Sequence, residues 1–437
     1  MKFIKAFVPI LLSALILGGC SFRLASSIDD LITPVSPSGE NANVQKALDS
    51  YCKGSYSLKT PVSGNFTTSY IFYDIDSDSD KEAIVFYEPS SNPGSIDMAV
   101  IDRINGEWSV VCNIEGRGSD VYSVDFRDLN GDGSTELIVL WDTFSNSASH
   151  VLAVYRQAYV NNELTLSVVG RYITMSNYIA VDIYGDAAEE LMVFTVDSGD
   201  SISANAVLYS YEDDNLKSLG STKLDGHISS YKSIISENNG ERVYVYADAV
   251  KSNGAQMLTE VINWSDYYNT IISPFYNYST GITKETTRQA MLTSRDIDGD
   301  GIVEIPLDAE KASVPGNVEA VNWKKYENSV LAHSCYSVAV EKDNYQIIIP
   351  DAYFDRITVS YDYENKALTV SDKSDNIIFT VTYLLKSHYS ENNEKYADYT
   401  EIMSDSGYIY LAECGNDSDI KITAEDLKSM IKSYEGE

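Results

Sequence analysis

The chain has 437 residues, with 65 acidic against 32 basic side chains and a formal net charge of −33. So acidic a surface repels nucleic acid and anionic lipid and offers nothing to phosphate, which excludes nucleic acid as a partner. Hydrophobic residues make up 44 % of the chain and Tyr occupies 33 positions, a composition suited to a strand-rich core.

Lys2 and Lys5 precede an apolar run from Phe7 to Leu17, which ends in Leu17-Gly18-Gly19-Cys20. The run is too short to span a bilayer comfortably and is followed by small residues, the pattern of a signal peptide over 1–19. The ending resembles the bacterial lipobox. That resemblance implies cleavage before Cys20, diacylglycerol on its sulfur and a mature chain held on the membrane outside the cytoplasm. Residues 20–41, rich in Ser, Pro, Asn and Asp, are expected as a flexible tether. Val44, Ala47, Leu48 and Tyr51 at helical spacing predict a short amphipathic helix from Ala42 to Cys52. No later segment is long and apolar enough to cross a membrane.

The next feature organises most of the chain. In Asp128-Leu-Asn130-Gly-Asp132-Gly-Ser-Thr-Glu136, oxygen-bearing side chains fall at positions 1, 3, 5 and 9, with glycine at 6. Alternating positions let one tight turn aim several oxygens at a common point, as a hard cation such as Ca²⁺ requires. The run Leu137-Ile-Val-Leu-Trp141 then reads as a buried strand, so this is a metal loop entering a strand and not an EF-hand. Echoes occur at Asp74, Asp76, Asp78 and Glu82 and at Asp296, Asp298, Asp300 and Glu304. The copy at 182–190 keeps Asp182, Asp186 and Glu190 but has Tyr184 at position 3, and is expected to be metal-free. The segment Ser236–Gly240, before the strand-like Arg242–Tyr246, is read as a worn-out copy. Starts at 74, 128 and 182 are each 54 residues apart. A period of roughly 40–55 residues with about four strands per unit is the signature of a β-propeller.

From about Asn65 to Tyr336 the chain is strand after short strand. In the second unit the strands are expected over Val121–Phe126, Glu136–Trp141, His150–Arg156 and Leu164–Tyr172, with turn signals between them. Five units start near residues 66, 120, 175, 229 and 286, the fifth closing with Val318–Tyr326 and Val330–Tyr336. The region resembles the FG-GAP/integrin-type propeller family, whose repeats carry Asp-x-Asp-x-Asp-Gly-x-x-Asp calcium loops. The resemblance implies a propeller of about five blades over 42–336, with structural Ca²⁺ in the three intact loops. Position 9 is Glu here instead of Asp, and the Phe-Gly and Gly-Ala-Pro signatures are absent.

After Tyr336 the spacing becomes uneven. Strands are expected over Tyr345–Pro350, Arg356–Tyr361, Ala367–Ser371, Ile377–Leu385 and Tyr408–Ala412. Thr423, with Asp426 at N3, is expected to cap a last helix whose apolar stripe is Leu427, Met430, Ile431 and Tyr434. The expectation is a separate α+β domain over 337–437. Its opening looks like small domains appended to lipoproteins of low-GC Gram-positive bacteria, a resemblance that names no activity.

Chemistry-bearing patterns are sparse. His150, His227, His333 and His388 have no neighbours at ligand or triad spacing, and there is no Gly-x-Ser-x-Gly, His-Glu-x-x-His or phosphate loop. A glycosidase would need one carboxylate pair about 5–9.5 Å apart, whereas these acidic clusters recur once per unit, as a structural device would. Cys52, Cys112, Cys335 and Cys414 could pair in three ways in an exported chain, Cys335 with Cys414 first among them. The Tyr clusters at 267–268 and 276–278 could stack on sugars or peptides, but Tyr is also a good strand residue, and no ligand site is assigned from them. The sequence therefore points to a lipid-anchored surface protein presenting a calcium-stabilised propeller as a binding or scaffold module for a protein or glycan ligand. A propeller glycoside hydrolase and a structural or sensory envelope component are the alternatives.

Overall fold

The computed structural model describes residues 38–143, 149–161, 163–197, 203–310, 314–316 and 318–434. The leader, Cys20 and nearly all of the expected tether lie outside the described residues. Among those residues no helix is long and apolar enough to cross a membrane.

The protein is mainly β, built from several antiparallel sheets laid down in chain order. Helix α1 (Glu40–Cys52) starts two residues before the expected position and leads into sheet I. Sheet I holds β1 (Tyr56–Lys59), β2 (Ile71–Tyr73), β3 (Glu82–Pro89), β4 (Asp97–Ile104) and β5 (Glu107–Glu115), with β1 and β2 sharing one edge of β3. Sheet II holds β6 (Asp120–Arg127), β7 (Glu136–Asp142), β8 (His150–Val160), β9 (Glu163–Val168) and β10 (Ile173–Met175). Sheet III is the meander β11 (Asn177–Val181), β12 (Glu190–Asp197), β13 (Ser203–Glu212) and β14 (Asn215–Leu224). Sheet IV is the meander β15 (Ile228–Asn238), β16 (Val243–Lys251), β17 (Met257–Ser265) and β18 (Thr270–Ile272). A small hairpin, β19 (Tyr276–Asn277) with β20 (Ile282–Thr283), precedes sheet V.

The second strand of each sheet explains the packing. Side chains alternate between the two faces of a strand, so an apolar run without polar breaks needs cover on both sides. In β7, Leu137, Val139 and Trp141 face Ile84, Phe86 and Met98 of sheet I, while Ile138 and Leu140 face Leu191 and Val193 of sheet III. In β12, Met192 and Phe194 face Val245 and Ala247 of sheet IV. Trp141 is fully buried and meets Phe86 edge to face. The link between sheets I and II runs so close to β7 that a Cβ on Gly118 would fall 1.9 Å from the Asp142 carbonyl oxygen.

Sheet V holds β21 (Glu304–Asp308), β22 (Glu319–Glu327), β23 (Val330–Val340), β24 (Tyr345–Ile349) and β30 (Ile431–Ser433). Tyr246 and Val261 of sheet IV pack on its Ile305, Leu307 and Tyr326. Both ends of the series are covered by the chain itself. Val44 and Leu48 of α1 cover Ala83, Val85 and Ile101 on the outer face of sheet I, and Ala290, Leu292, Ile297 and Tyr434 cover Val321 and Trp323 on sheet V. Closure of a ring would need those two faces to meet.

The expected division at residue 337 is corrected. It falls inside β23, and sheet V takes β24 and β30 from the segment assigned to a separate domain. Sheet VI holds β25 (Ile357–Asp362), β26 (Ala367–Asp372), β27 (Ile377–Leu385), β29 (Tyr408–Cys414) and β28 (Thr400–Ser404). It shares one core with sheet V, where Val338, Ile347 and Ile349 meet Leu368, Val370 and Val381. Three short helices complete the region: α2 (Asp351–Phe354), α3 (Lys386–Glu391) and α4 (Ala424–Met430). The Thr423/Asp426 capping box forms as expected, but α4 stops at Met430. Ile431 begins β30 instead, because extended backbone lets residues 431–433 pair with the open edge of β24.

Candidate metal loops

Each loop joins two hydrogen-bonded antiparallel neighbours: β2 to β3 in sheet I, β6 to β7 in sheet II, β11 to β12 in sheet III, and the bridge from Arg295 to Glu304 in sheet V. Their hydrogen bonds show what each loop position does. Position 2 is an apolar anchor: Ile75, Leu129, Ile183 and Ile297 are all buried. Position 9 is a buried glutamate whose carboxylate accepts from the amide of position 2, at 2.7 Å for Glu82, 2.9 Å for Glu136, 3.0 Å for Glu190 and 2.9 Å for Glu304. A glutamate reaches that amide from the first residue of a strand and pins the turn shut. Burial pushes Glu82, Glu136 and Glu190 up to about 7, neighbouring carboxylates add to the shift, and the accepted amide opposes it.

Positions 4 and 6 both take left-handed backbone. Glycine supplies it at 131, 133, 299 and 301, but Ser77 (φ 62°), Ser79 (φ 78°) and Ala187 (φ 74°) are held there at a steric cost. Position 1 accepts the amides this turn gathers. Asp128 accepts from Gly131, Asp132 and Gly133, Asp182 from Gly185, Asp186 and Ala187, and Asp296 from Gly299, Asp300 and Gly301. The copy expected to be metal-free thus keeps the whole turn.

Loop 74–82 departs from this pattern. Asp74 accepts from Ser79 at 3.1 Å through Oδ2, while its Oδ1 is buried without a partner. The Oε1 of Glu82, a residue 1 % exposed, is likewise buried and unpartnered. Asp74, Asp76 and Asp78 each offer an oxygen within 4.8 Å of the others. The register Ala83↔Ile101 sets Asp102 across from Glu82, adding a further carboxylate. Tyr159 donates to Asp76 at 3.0 Å, but the remaining donor set, all oxygen and short of cations, fits a hard cation such as Ca²⁺.

Loop 128–136 is intermediate. Asn130 donates to Asp132 at 2.9 Å, so part of the ligand set is satisfied internally. Loop 296–304 brings Asp296, Asp298 and Asp300 together, but Lys325 on β22 enters the cluster. Its ammonium lies 3.4 Å from Asp298, 3.2 Å from Glu304 and in close contact with Asp300. The Ser334 hydroxyl lies 3.1 Å from both Asp298 and Glu304, with one proton to donate between them. A metal does not fit there while Lys325 keeps that position. The segment Ser236–Gly240 forms no loop; it ends β15 and turns directly into β16. Its Glu237 reaches sheet V and accepts from the Val303 amide at 2.8 Å.

Sequence spacing found the loops but missed Asp102, Lys325 and Ser334, which reach them through strand register. The apolar residue at position 2 of every copy, and glycine at position 4 of the copies starting at 128, 182 and 296, were signals available in the sequence.

Elsewhere, each of the four histidines has a polar neighbour: His150 meets Asp142 at 2.6 Å, His227 meets Asp225 at 3.1 Å, His333 meets Asn322 at 2.6 Å and Asp351 at 3.1 Å, and His388 meets Asn392 at 3.5 Å. The four described cysteines are free thiols, so the Cys335–Cys414 pairing is not formed. Tyr267 and Tyr268 do not fill strands; they sit in the turn after β17, 88 % and 65 % exposed.

No family model matches this chain, and no curated protein matches it. Among solved structures, the exotype rhamnogalacturonan lyase YesX aligns over 74 % of this chain and 71 % of its own. The identity is 12 % and the TM-score 0.28, a likeness too slight to bear on fold or activity.

Proposed function

We propose that the protein is a lipid-anchored surface component whose stacked sheets form a calcium-stabilised binding module. The observation that carries the calcium reading is the pair of buried, unpartnered oxygens on Asp74 and Glu82 beside Asp76 and Asp78. Burying such oxygens without a donor or cation costs about 1–3 kcal/mol each, so a bound cation stabilises the fold by meeting them. Loop 128–136 is the second site. Sheets I to V are read as blades of an FG-GAP-like, propeller-type series whose end faces are closed by α1 and by the segment around Leu292. Cys20 carries the lipid in this reading, and the ligand is a neutral glycan or a peptide.

The contact surface is assigned to the exposed rings of Tyr267, Tyr268 and Tyr278, which pack edge to face in pairs with Tyr268 and Tyr276 and leave their outer faces open. Such rings can stack on the C–H faces of sugars, and neighbouring carboxylates can accept hydroxyl protons. A glycan array probed with wild type and with the Tyr267→Ala/Tyr268→Ala double variant tests the module. Binding lost in the variant supports the reading; binding equal in both contradicts this surface. Fatty-acid labelling tests the anchor, and label that persists in Cys20→Ala refutes it.

A further inference from the structure

We infer that Lys325 takes the cation's place in loop 296–304, and that the residue facing position 9 from the next strand sets whether a loop holds a metal. This qualifies the three-site expectation, and its test does not depend on calcium binding at the other loops.

β21 and β22 pair Glu304 with Lys325, so the lysine stem runs beside the buried end of the loop and its ammonium emerges among the acids. An ammonium has three N–H donors and no acceptor. Here three carboxylates surround it, those of Asp298, Asp300 and Glu304. The single hydroxyl proton of Ser334 lies within reach of two of the same carboxylates, 3.1 Å from each, and adds one more donor to the cluster. Only 14 % of the Lys325 side chain is exposed and none of that of Glu304, so solvent and salt screen the pair weakly. Burial works against the charge on Lys325, but hydrogen bonds to Asp300 and Glu304 outweigh it and hold the ammonium above its ordinary range. A divalent ion at the same oxygens would have to expel this tethered cation.

The corresponding position differs in every sheet. In sheet I it is Asp102, which adds negative charge to the loop with bare oxygens. In sheet II the register Leu137↔Tyr155 sets Arg156 across from Glu136, but its guanidinium is engaged with Asp214 at 2.8 Å. In sheet III the register Leu191↔Tyr209 sets the uncharged Ser210 across from Glu190. Only sheet V, among the described loops, places a cation on the ligand carboxylates themselves.

Calcium stoichiometry measured by equilibrium dialysis and calorimetric titration of the full chain decides the matter. Lys325→Met, which keeps the stem and removes the charge, should bind one more Ca²⁺ per chain than wild type. Adding Asp300→Asn to that variant should remove the extra ion, and Lys325→Arg should not gain it. In the wild-type background Asp298→Asn should leave the stoichiometry unchanged, an arm that still decides should Lys325→Met fail to fold. An extra ion in Lys325→Met supports the inference even if wild type binds none, which would refute the calcium reading alone. No added ion in a folded Lys325→Met, or a lost ion in Asp298→Asn, overturns it.

Discussion

In loop 182–190 the amides of Gly185, Asp186 and Ala187 converge on Asp182, whereas in loop 74–82 Asp74 accepts from Ser79 and keeps its other oxygen bare. Both loops are pinned by the same bond, in which the Ile183 amide donates to Glu190 and the Ile75 amide to Glu82. Positions 3 and 5 also accept amides within the turn, Asp76 from Asp78 and Asp78 from Asp80 in loop 74–82, and Asp186 from Ala188 in loop 182–190. What sets loop 74–82 apart is the unmet oxygen of position 1, which the proposed function assigns to a cation. Sheet IV extends the comparison, since it has lost the loop and carries a buried charge network instead. Arg288 and Asp248 are both fully buried at 2.8 Å, and Arg288 also donates to Thr259 and to the Leu292 carbonyl.

The largest effect is expected in sheet IV. Asp248→Ala strands a buried guanidinium and should cost about 3–5 kcal/mol, equally with calcium and with chelator. Denaturant titration measures it, and a calcium-dependent loss would mean that sheet IV is not independent of the loops. Next, Glu190→Ala leaves the buried Ile183 amide without an acceptor and should cost about 1–3 kcal/mol. Glu190→Gln, which retains an acceptor, should recover most of that. A smaller gain is expected for Ser79→Gly, which relieves left-handed strain and should stabilise by about 1 kcal/mol. Smallest is Tyr267→Ala, an exposed turn residue whose removal should change stability by less than about 0.5 kcal/mol.

Much of this comparison was legible from residue order alone. The repeat of 54 residues, the strands following Glu82, Glu136 and Glu190, and the Thr423/Asp426 cap depend on local spacing, which a sequence displays directly. What escaped depends on chain segments far apart. Lys325 reaches Glu304 only because β22 lies against β21, and residues 431–433 leave the expected helix only because β24 presents an open edge to them. Residue 337 looked like a boundary because the metal loops had stopped, yet β23 runs through it without interruption.

Calorimetric melting of the chain in calcium and in chelator decides whether bound calcium completes loop 74–82 and so stabilises the stacked sheets, as proposed above. At a hundredfold excess over Kd, one site should add about 3 kcal/mol and raise the melting temperature. Asp74→Asn should remove most of that gain while Asp182→Asn leaves it in place. Equal melting in calcium and in chelator would contradict the account.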